Sequence, residues 1–234
     1  MTFRWFICFS LLALVSRAAT VEGRFQVVDS RLASVVKKKD YSGVVAWLEP
    51  ATGKASLPAG AQHTILQKGK RFIPHISVIT VGTTVHLPNL DPIFHNAFSN
   101  FAGQPFDTGL YPPGGTQKVR FARPGVVRVF CNIHASMSAV IVVLETPYFA
   151  VSGLDGAFRI GDVPPGEYTL KVWHERSAEA KLKTLERRLA VPPAGLALPL
   201  LTVSELGYVA LPHKNKFGKD YGPEPVPAVP YGPR

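Results

Sequence analysis

The sequence predicts an all-β protein built as two β-sandwiches in succession. Three observations carry that prediction. Apolar segments recur at strand length, about four to eight residues, each bounded by turn residues. The chain holds 20 Gly and 21 Pro in 234 residues, which favours many short elements over long helices. Where alternation is clearest it has period two: Tyr168, Leu170 and Val172 on one face, Thr169, Lys171 and Trp173 on the other. Hydrophobic residues make up 46% of the chain and charged residues 18%, so a core can form and a disordered chain is excluded.

Residues 1–18 read as a secretory signal. Arg4 gives a short positive start, and Trp5 to Val15 is an apolar run too short to span a bilayer comfortably. Ser16-Arg17-Ala18 ends in small residues suited to cleavage after Ala18, with Ala19 as the alternative. No other segment is apolar and long enough to cross a membrane. Cleavage would remove Cys8 and leave Cys131 as the sole thiol, so an internal disulfide is excluded. The expected location is the periplasm or another exported compartment, with no stable membrane insertion after cleavage. The formal net charge of +10 suits acidic partners. The basic residues are dispersed, without the aromatic-lined stripe that nucleic-acid binding needs.

Residues 19–61 form a leading β segment, with Gly43 to Pro50 as an apolar strand that adds to the first sandwich or stands apart. The first sandwich is expected over residues 62–146. Thr64 to Gln67 is a short strand, and Ile76 to Val81 and Thr83 to Leu87 flank Gly82, a turn or bulge. Gln117 to Phe121 alternates, and Pro124-Gly125 turns the chain into Val126 to Cys131. Ala139 to Leu144 is continuously apolar, as a buried strand would be.

Thr146-Pro147 marks a boundary, and a smaller sandwich follows over residues 147–203. Asp155-Gly156 opens one strand, and Pro164-Pro165-Gly166 links it to the next. Arg176 to Ala190 can be read as a charged helix, but strands are the preferred reading inside a small β module. Leu196 to Val203 closes the module. Residues 204–234 form a Pro- and Gly-rich tail, extended and mobile unless it packs on a domain.

The chemistry concentrates in Cys131-Asn132-Ile133-His134-Ala135-Ser136-Met137. A thiolate, an imidazole and a thioether on one short loop are three of the four donors of a blue-copper site. Period two turns Val127, Val129 and Cys131 inward and Arg128 outward. A bound cation would make an ionised thiolate tolerable in that apolar interior. Asn132 can offer its backbone N–H to the sulfur, while Phe94, Phe130 and Ile133 would limit solvent access. His63, His75, His86, His95, His174 and His213 compete for the fourth position. His95 is favoured because it follows the turn-rich run Asn89-Leu90-Asp91-Pro92 and precedes Asn96. Zinc is a second option, for which Met137 is a poor ligand. A metal-free tight turn with a buried cysteine is a third.

These residues resemble the cupredoxins, and the pairing of His95-Asn96 with Cys131-x2-His134-x2-Met137 is similar to amicyanin. Phe72-x-Pro74, Asn89-x-Asp91 and Phe106-Asp107-x-Gly109 extend the resemblance to plastocyanin-like exported proteins linked to methylamine utilisation. It implies a Greek-key sandwich with one copper ion cycling between Cu(I) and Cu(II). His95, Cys131 and His134 would be the equatorial ligands and Met137 the axial one. His134 would be the electron exit, facing an apolar docking patch. Asp155-Gly156-x-Phe158 and Pro165-Gly166-x-Tyr168-x-Leu170 are similar to a carboxypeptidase regulatory-like, transthyretin-like module, which implies scaffolding and not catalysis. The expected function is an exported electron carrier, not an enzyme, serving a redox protein partner. Copper storage or delivery and a metal-free structural module are the competing readings.

Overall fold

The computed structural model describes residues 18–101, 103–210 and 212–222. The expected signal peptide, apart from Ala18, lies outside the described residues, as does the end of the tail. The described residues are nearly all β, with two short helices among them, Ala33–Lys38 and Glu179–Lys183. Among the described residues no helix is long and apolar enough to cross a membrane.

One sandwich is built from the middle of the chain. Its larger sheet runs, in order, Ile76–Thr80, Ser138–Leu144, Gly125–Phe130, Phe98–Ser99 and Phe106–Asp107. Facing it is a sheet of Thr116–Arg120, Thr84–Pro88 and Gln62–Thr64, and Leu66–Gln67 pairs separately with Phe72–Ile73. Between them lies a core that includes Ile79, Val85, Leu87, Phe121, Val127, Val129, Ile141 and Val143. The chain crosses from one sheet to the other at Gly82, whose φ of +92° is open to glycine without steric cost. The segment read as one strand from Thr64 to Gln67 is split between two sheets at Ile65, which is buried in the core and whose N–H donates to the His86 carbonyl at 2.9 Å.

The strand pairing departs from the expected division of the chain. Val45–Pro50 does not join the middle sandwich. It pairs antiparallel with Phe149–Val151 on one side and Gly166–Trp173 on the other, and Arg187–Val191 completes that sheet. Ala19–Val28, a strand the sequence reading missed, pairs with Ala157–Val163, Leu196–Ala197 and Leu201–Ser204. The second sandwich is therefore made from both ends of the chain, with the first inserted between Val45–Pro50 and Phe149–Val151. The physical reason lies in which face each residue buries. Ala46 and Leu48 enter a core with Phe25, Ile160, Leu170 and Val172, while Val45 turns to the opposite side. A strand apolar on both faces needs cover on both, and here the core of the second sandwich covers one face while Val78, Val140, Val142 and Leu144 cover Val45 on the other.

Gly156 shows how closely the two ends fit. At φ +78°, a side chain there would collide with the carbonyl of Phe25, whose N–H donates to the Gly156 carbonyl at 2.9 Å. The preferred strand reading of Arg176 to Ala190 is corrected in its first half. Glu179–Lys183 is a single helical turn that buries Leu182, and only Arg187–Val191 is a strand.

The continuous apolar run Ser138–Leu144 is explained by a third cluster. Val140, Val142 and Leu144 pack with Val45 and Val78, while Ala139, Ile141 and Val143 face the core of the middle sandwich. Full burial of each valine contributes at most about 1.5–3 kcal/mol. A polar clamp borders this contact. Glu175, from the second sandwich, accepts from Arg128 at 3.1 Å and from His75 Nε2 at 2.8 Å.

Candidate metal centre

Strand Gly125–Phe130 delivers Cys131 to the end of the core. Val127, Val129 and Cys131 are all buried in it. The loop then turns on two backbone bonds: Cys131 N–H donates to the Met137 carbonyl at 3.1 Å, and Met137 N–H donates to the His134 carbonyl at 3.1 Å. This closes the seven-residue loop at its base and sends Met137 back into the same core, fully buried.

His95 arrives from the opposite direction. Its backbone exchanges two hydrogen bonds with Tyr111, at 3.2 and 2.9 Å, which fixes it in a short bridge before Phe98–Ser99. The ring then meets the loop. Cys131 Sγ lies 3.9 Å from His95 Nδ1 and 3.6 Å from His134 Nδ1, and the ring centroids are 4.9 Å apart. His95, Cys131 and His134 are all buried, and their ligand atoms lie within 4.8 Å of one another. Of the competing histidines, His63, His75, His174 and His213 are bonded elsewhere, to Ser77, Glu175, Glu205 and Ala135.

The donor spacing fits one ion. With zinc-like bond lengths, sulfur at about 2.3 Å and imidazole nitrogen at about 2.0 Å in a trigonal arrangement stand about 3.7 Å apart. Both sulfur–nitrogen separations bracket that distance.

The tautomer of His95 follows from its other nitrogen. Nε2 faces Asp91 Oδ2 at 2.8 Å, and both residues are buried. Burial alone would raise the Asp91 pKa. It is outweighed by N–H donors from Lys70 at 2.8 Å, the His95 ring and Gly69 at 2.6 Å, and the carboxyl is held below its ordinary range. An ionised carboxylate only accepts, so Nε2 carries a proton and Nδ1 is the ring nitrogen turned toward Cys131.

The residues expected around the ligands divide. Asn96 and Asn132 tie the two halves of the site together: Asn132 N–H donates to Asn96 Oδ1 at 2.6 Å, and Asn96 Nδ2 donates to Asp107 at 3.1 Å. The expectation that this N–H serves the cysteine sulfur is corrected, because the amide oxygen is the partner it meets. Phe130 lies on the opposite strand face from Cys131 and stacks on His213, with centroids 3.9 Å apart. It does not enclose the ligands. Phe94 is 53% exposed, so it does not seal the site either.

Sequence reasoning missed Asp91 as a partner of His95, although the spacing of four residues was visible. It also missed Tyr111 and Tyr221. Tyr111 is buried, accepts from the Gln67 amide, and donates to the Leu87 carbonyl at 2.9 Å. Burial, then the charge of Cys131, pushes its pKa up. Tyr221 donates to the Cys131 carbonyl at 2.8 Å. Burial, then Cys131, pushes its pKa up to about 12, so it stays a donor.

No protein-family model matches the chain, and neither does any curated protein sequence. Solved structures do match over part of it. A Cu-containing nitrite reductase from Thermus scotoductus SA-01 is 30% identical over 42% of this chain and 25% of its own, with a TM-score of 0.34. A purple cupredoxin from Nitrosopumilus maritimus is 26% identical over 36% of this chain and 99% of its own, with a TM-score of 0.32. A single-site mutant of amicyanin in its Cu(I) state is 16% identical over 42% of this chain and 98% of its own, with a TM-score of 0.34. The chain thus spans a quarter of the nitrite reductase and nearly all of the two smaller proteins.

Proposed function

We propose that the protein is an exported type 1 copper protein that carries single electrons between redox partners. The observation that supports this reading is the convergence of Cys131 Sγ, His95 Nδ1 and His134 Nδ1 at spacings one ion would span. Met137, buried in the same loop, tips the donor set from zinc toward copper, because a thioether is a soft ligand. A copper ion held there would supply the chemistry by passing between Cu(II) and Cu(I).

The chain's own residues set the terms. Cys131, His95 and His134 would hold the ion strongly and Met137 weakly. Asp91 fixes the His95 ring from behind, so the donor does not rotate between oxidation states. Burial of all four side chains keeps water out, and little reorganises when one electron arrives or leaves.

The electron would leave through His134. Leu90, Phe94, Leu110 and Ile133, chain neighbours of Asp91, His95, Tyr111 and His134, are all exposed. Exposed apolar side chains flanking the site in sequence would suit a partner that docks briefly on an apolar surface. The basic charge of the chain would favour an acidic partner.

The test is to load metal-free protein with Cu(II) and record the visible spectrum. An intense thiolate-to-copper charge-transfer band is expected, absent in Cys131→Ser. A colourless wild-type complex, or a band that survives the substitution, refutes the reading.

A further inference from the structure

The tail beyond the second sandwich returns to the ligand loop. Tyr221 Oη donates to the Cys131 carbonyl at 2.8 Å, and Lys216 N–H donates to Asn132 Oδ1 at 3.0 Å. His213 Nε2 donates to the Ala135 carbonyl at 2.8 Å, and its ring stacks on Phe130 at an interplanar angle of 22°. Lys216 Nζ pairs with Asp107 Oδ2 at 2.6 Å, on the carboxylate whose other oxygen accepts from Asn96. These contacts touch Phe130, Cys131, Asn132 and Ala135, and none of them reaches a ligand atom.

The tail segment has its own fold. Asn215 Oδ1 accepts from the N–H groups of Phe217 and Lys219 at 2.9 and 3.1 Å. Asn215 N–H donates to the Lys219 carbonyl at 2.9 Å, and Lys214 pairs with Asp220 at 2.6 Å. The turn aims Lys216 at one side of the loop and brings Tyr221 back against His213, with ring centroids 5.1 Å apart. A preformed turn loses less entropy on docking than a free chain would.

We propose that residues 212–222 are a strap whose Tyr221, Lys216 and His213 are positioning residues for the metal-binding loop. The loop's own closure rests on its two backbone bonds and on Asn96. The strap adds three hydrogen bonds from chain about eighty to ninety residues downstream, so a second part of the protein governs how readily the loop opens. A metal ion leaves such a site when the loop opens, and the strap therefore controls metal retention. This last step rests on the copper reading above; the mechanical claim does not.

The experiment compares the full chain, a chain ending at Leu206, and Tyr221→Phe. Hydrogen exchange at the amides of residues 131–137 is read on metal-free protein, and removal of Cu(II) by a chelator on loaded protein. The tail lies outside the three apolar clusters, and Tyr221→Phe keeps the ring, so the variants should fold. Loop amides are expected to exchange about a hundredfold faster in the shortened chain, which loses all three bonds, and about fivefold faster in Tyr221→Phe, which loses one, from a net worth of about 1 kcal/mol per bond. Chelator removal should accelerate in the same order. Loop exchange unchanged in both variants overturns the strap, whatever the metal. If the loaded protein is colourless while loop exchange accelerates, the strap stands and the copper reading falls.

Discussion

Asp91 and His95 stand four residues apart with their side chains bonded at 2.8 Å, and neither side chain reaches solvent appreciably. The carboxylate is fully committed, since Gly69 and Lys70 donate to it as well. It holds the imidazole in one tautomer and one orientation, with Nδ1 toward Cys131. Asp91→Ala should weaken metal binding by about 10–100-fold, as loss of an outer partner of a ligand histidine does. Asp91→Asn turns an amide NH2 toward at least one N–H donor and should cost about 1–3 kcal/mol of stability even without metal. Chelator competition and metal-free thermal unfolding measure the two effects. Wild-type values in both would remove Asp91 from the site.

Met137 allows the weak donor to be separated from the core side chain. It is fully buried among Val129, Ala139 and the other residues of the middle sandwich. Met137→Leu conserves volume, so metal-free stability should fall by less than about 1.5 kcal/mol. The coloured complex should survive with a shifted reduction potential, because the axial donor tunes the copper couple. An unchanged potential would mean that the sulfur does not face the ion.

Leu48 reports on the unexpected pairing of Val45–Pro50. It is fully buried in the core formed with Phe25, Ile160 and Leu170, away from the metal loop. Leu48→Ala should destabilise the protein by about 2–5 kcal/mol. The damage should appear first in the second sandwich, leaving the visible band at temperatures where far-ultraviolet dichroism has already begun to change. Early loss of the band would show that the two sandwiches unfold as one unit.

What the sequence revealed, and what it hid, follows from range. The approach of Cys131 to His134 was legible because the two lie three residues apart on one loop, and strand alternation alone turned Cys131 inward. Choosing His95 depended on its local approach through Asn89 and Asp91, again a short-range signal. The partner of Val45–Pro50 was not legible. Its apolar pattern demands cover on both faces but does not say that Gly166–Trp173 pairs beside it or that Leu144 packs on Val45. That choice is made by strands about a hundred residues away. The tail was read as extended from its Pro and Gly content, which sets local conformation. Nothing in that composition encodes that Tyr221 ends on the carbonyl of Cys131.

The clamp between the sandwiches should make stability depend on pH. His75 Nδ1 faces the Ser138 carbonyl at 3.0 Å and Nε2 faces Glu175 at 2.8 Å, and both partners are acceptors. Only the protonated ring can donate to both. The bond to Glu175 chiefly, aided by its charge and Ser138, raises the His75 pKa against the opposing effect of burial. For Glu175, burial pushes upward but is outweighed by the His75 bond and by the charges of His75, Arg128 and Arg176, so its pKa is lowered. The signs are opposite. The His75 contribution is complete below its unfolded value near 6.5 and is lost as pH rises through its higher folded value. The Glu175 contribution is complete above about 4.5 and is lost as pH falls through its lower folded value. Stability from the clamp should therefore peak between about pH 4.5 and 6.5. The His75 side chain is 46% exposed, so solvent screening should hold its share under about 1 kcal/mol. His75→Gln should flatten the decline above pH 6.5 and shrink the acid limb without abolishing it, because Glu175 loses the His75 bond and charge while Arg128 still pairs with it. Denaturant midpoints measured from pH 4 to 9 on metal-free protein test this, and a decline above pH 6.5 that persists unchanged in His75→Gln would assign it to another group.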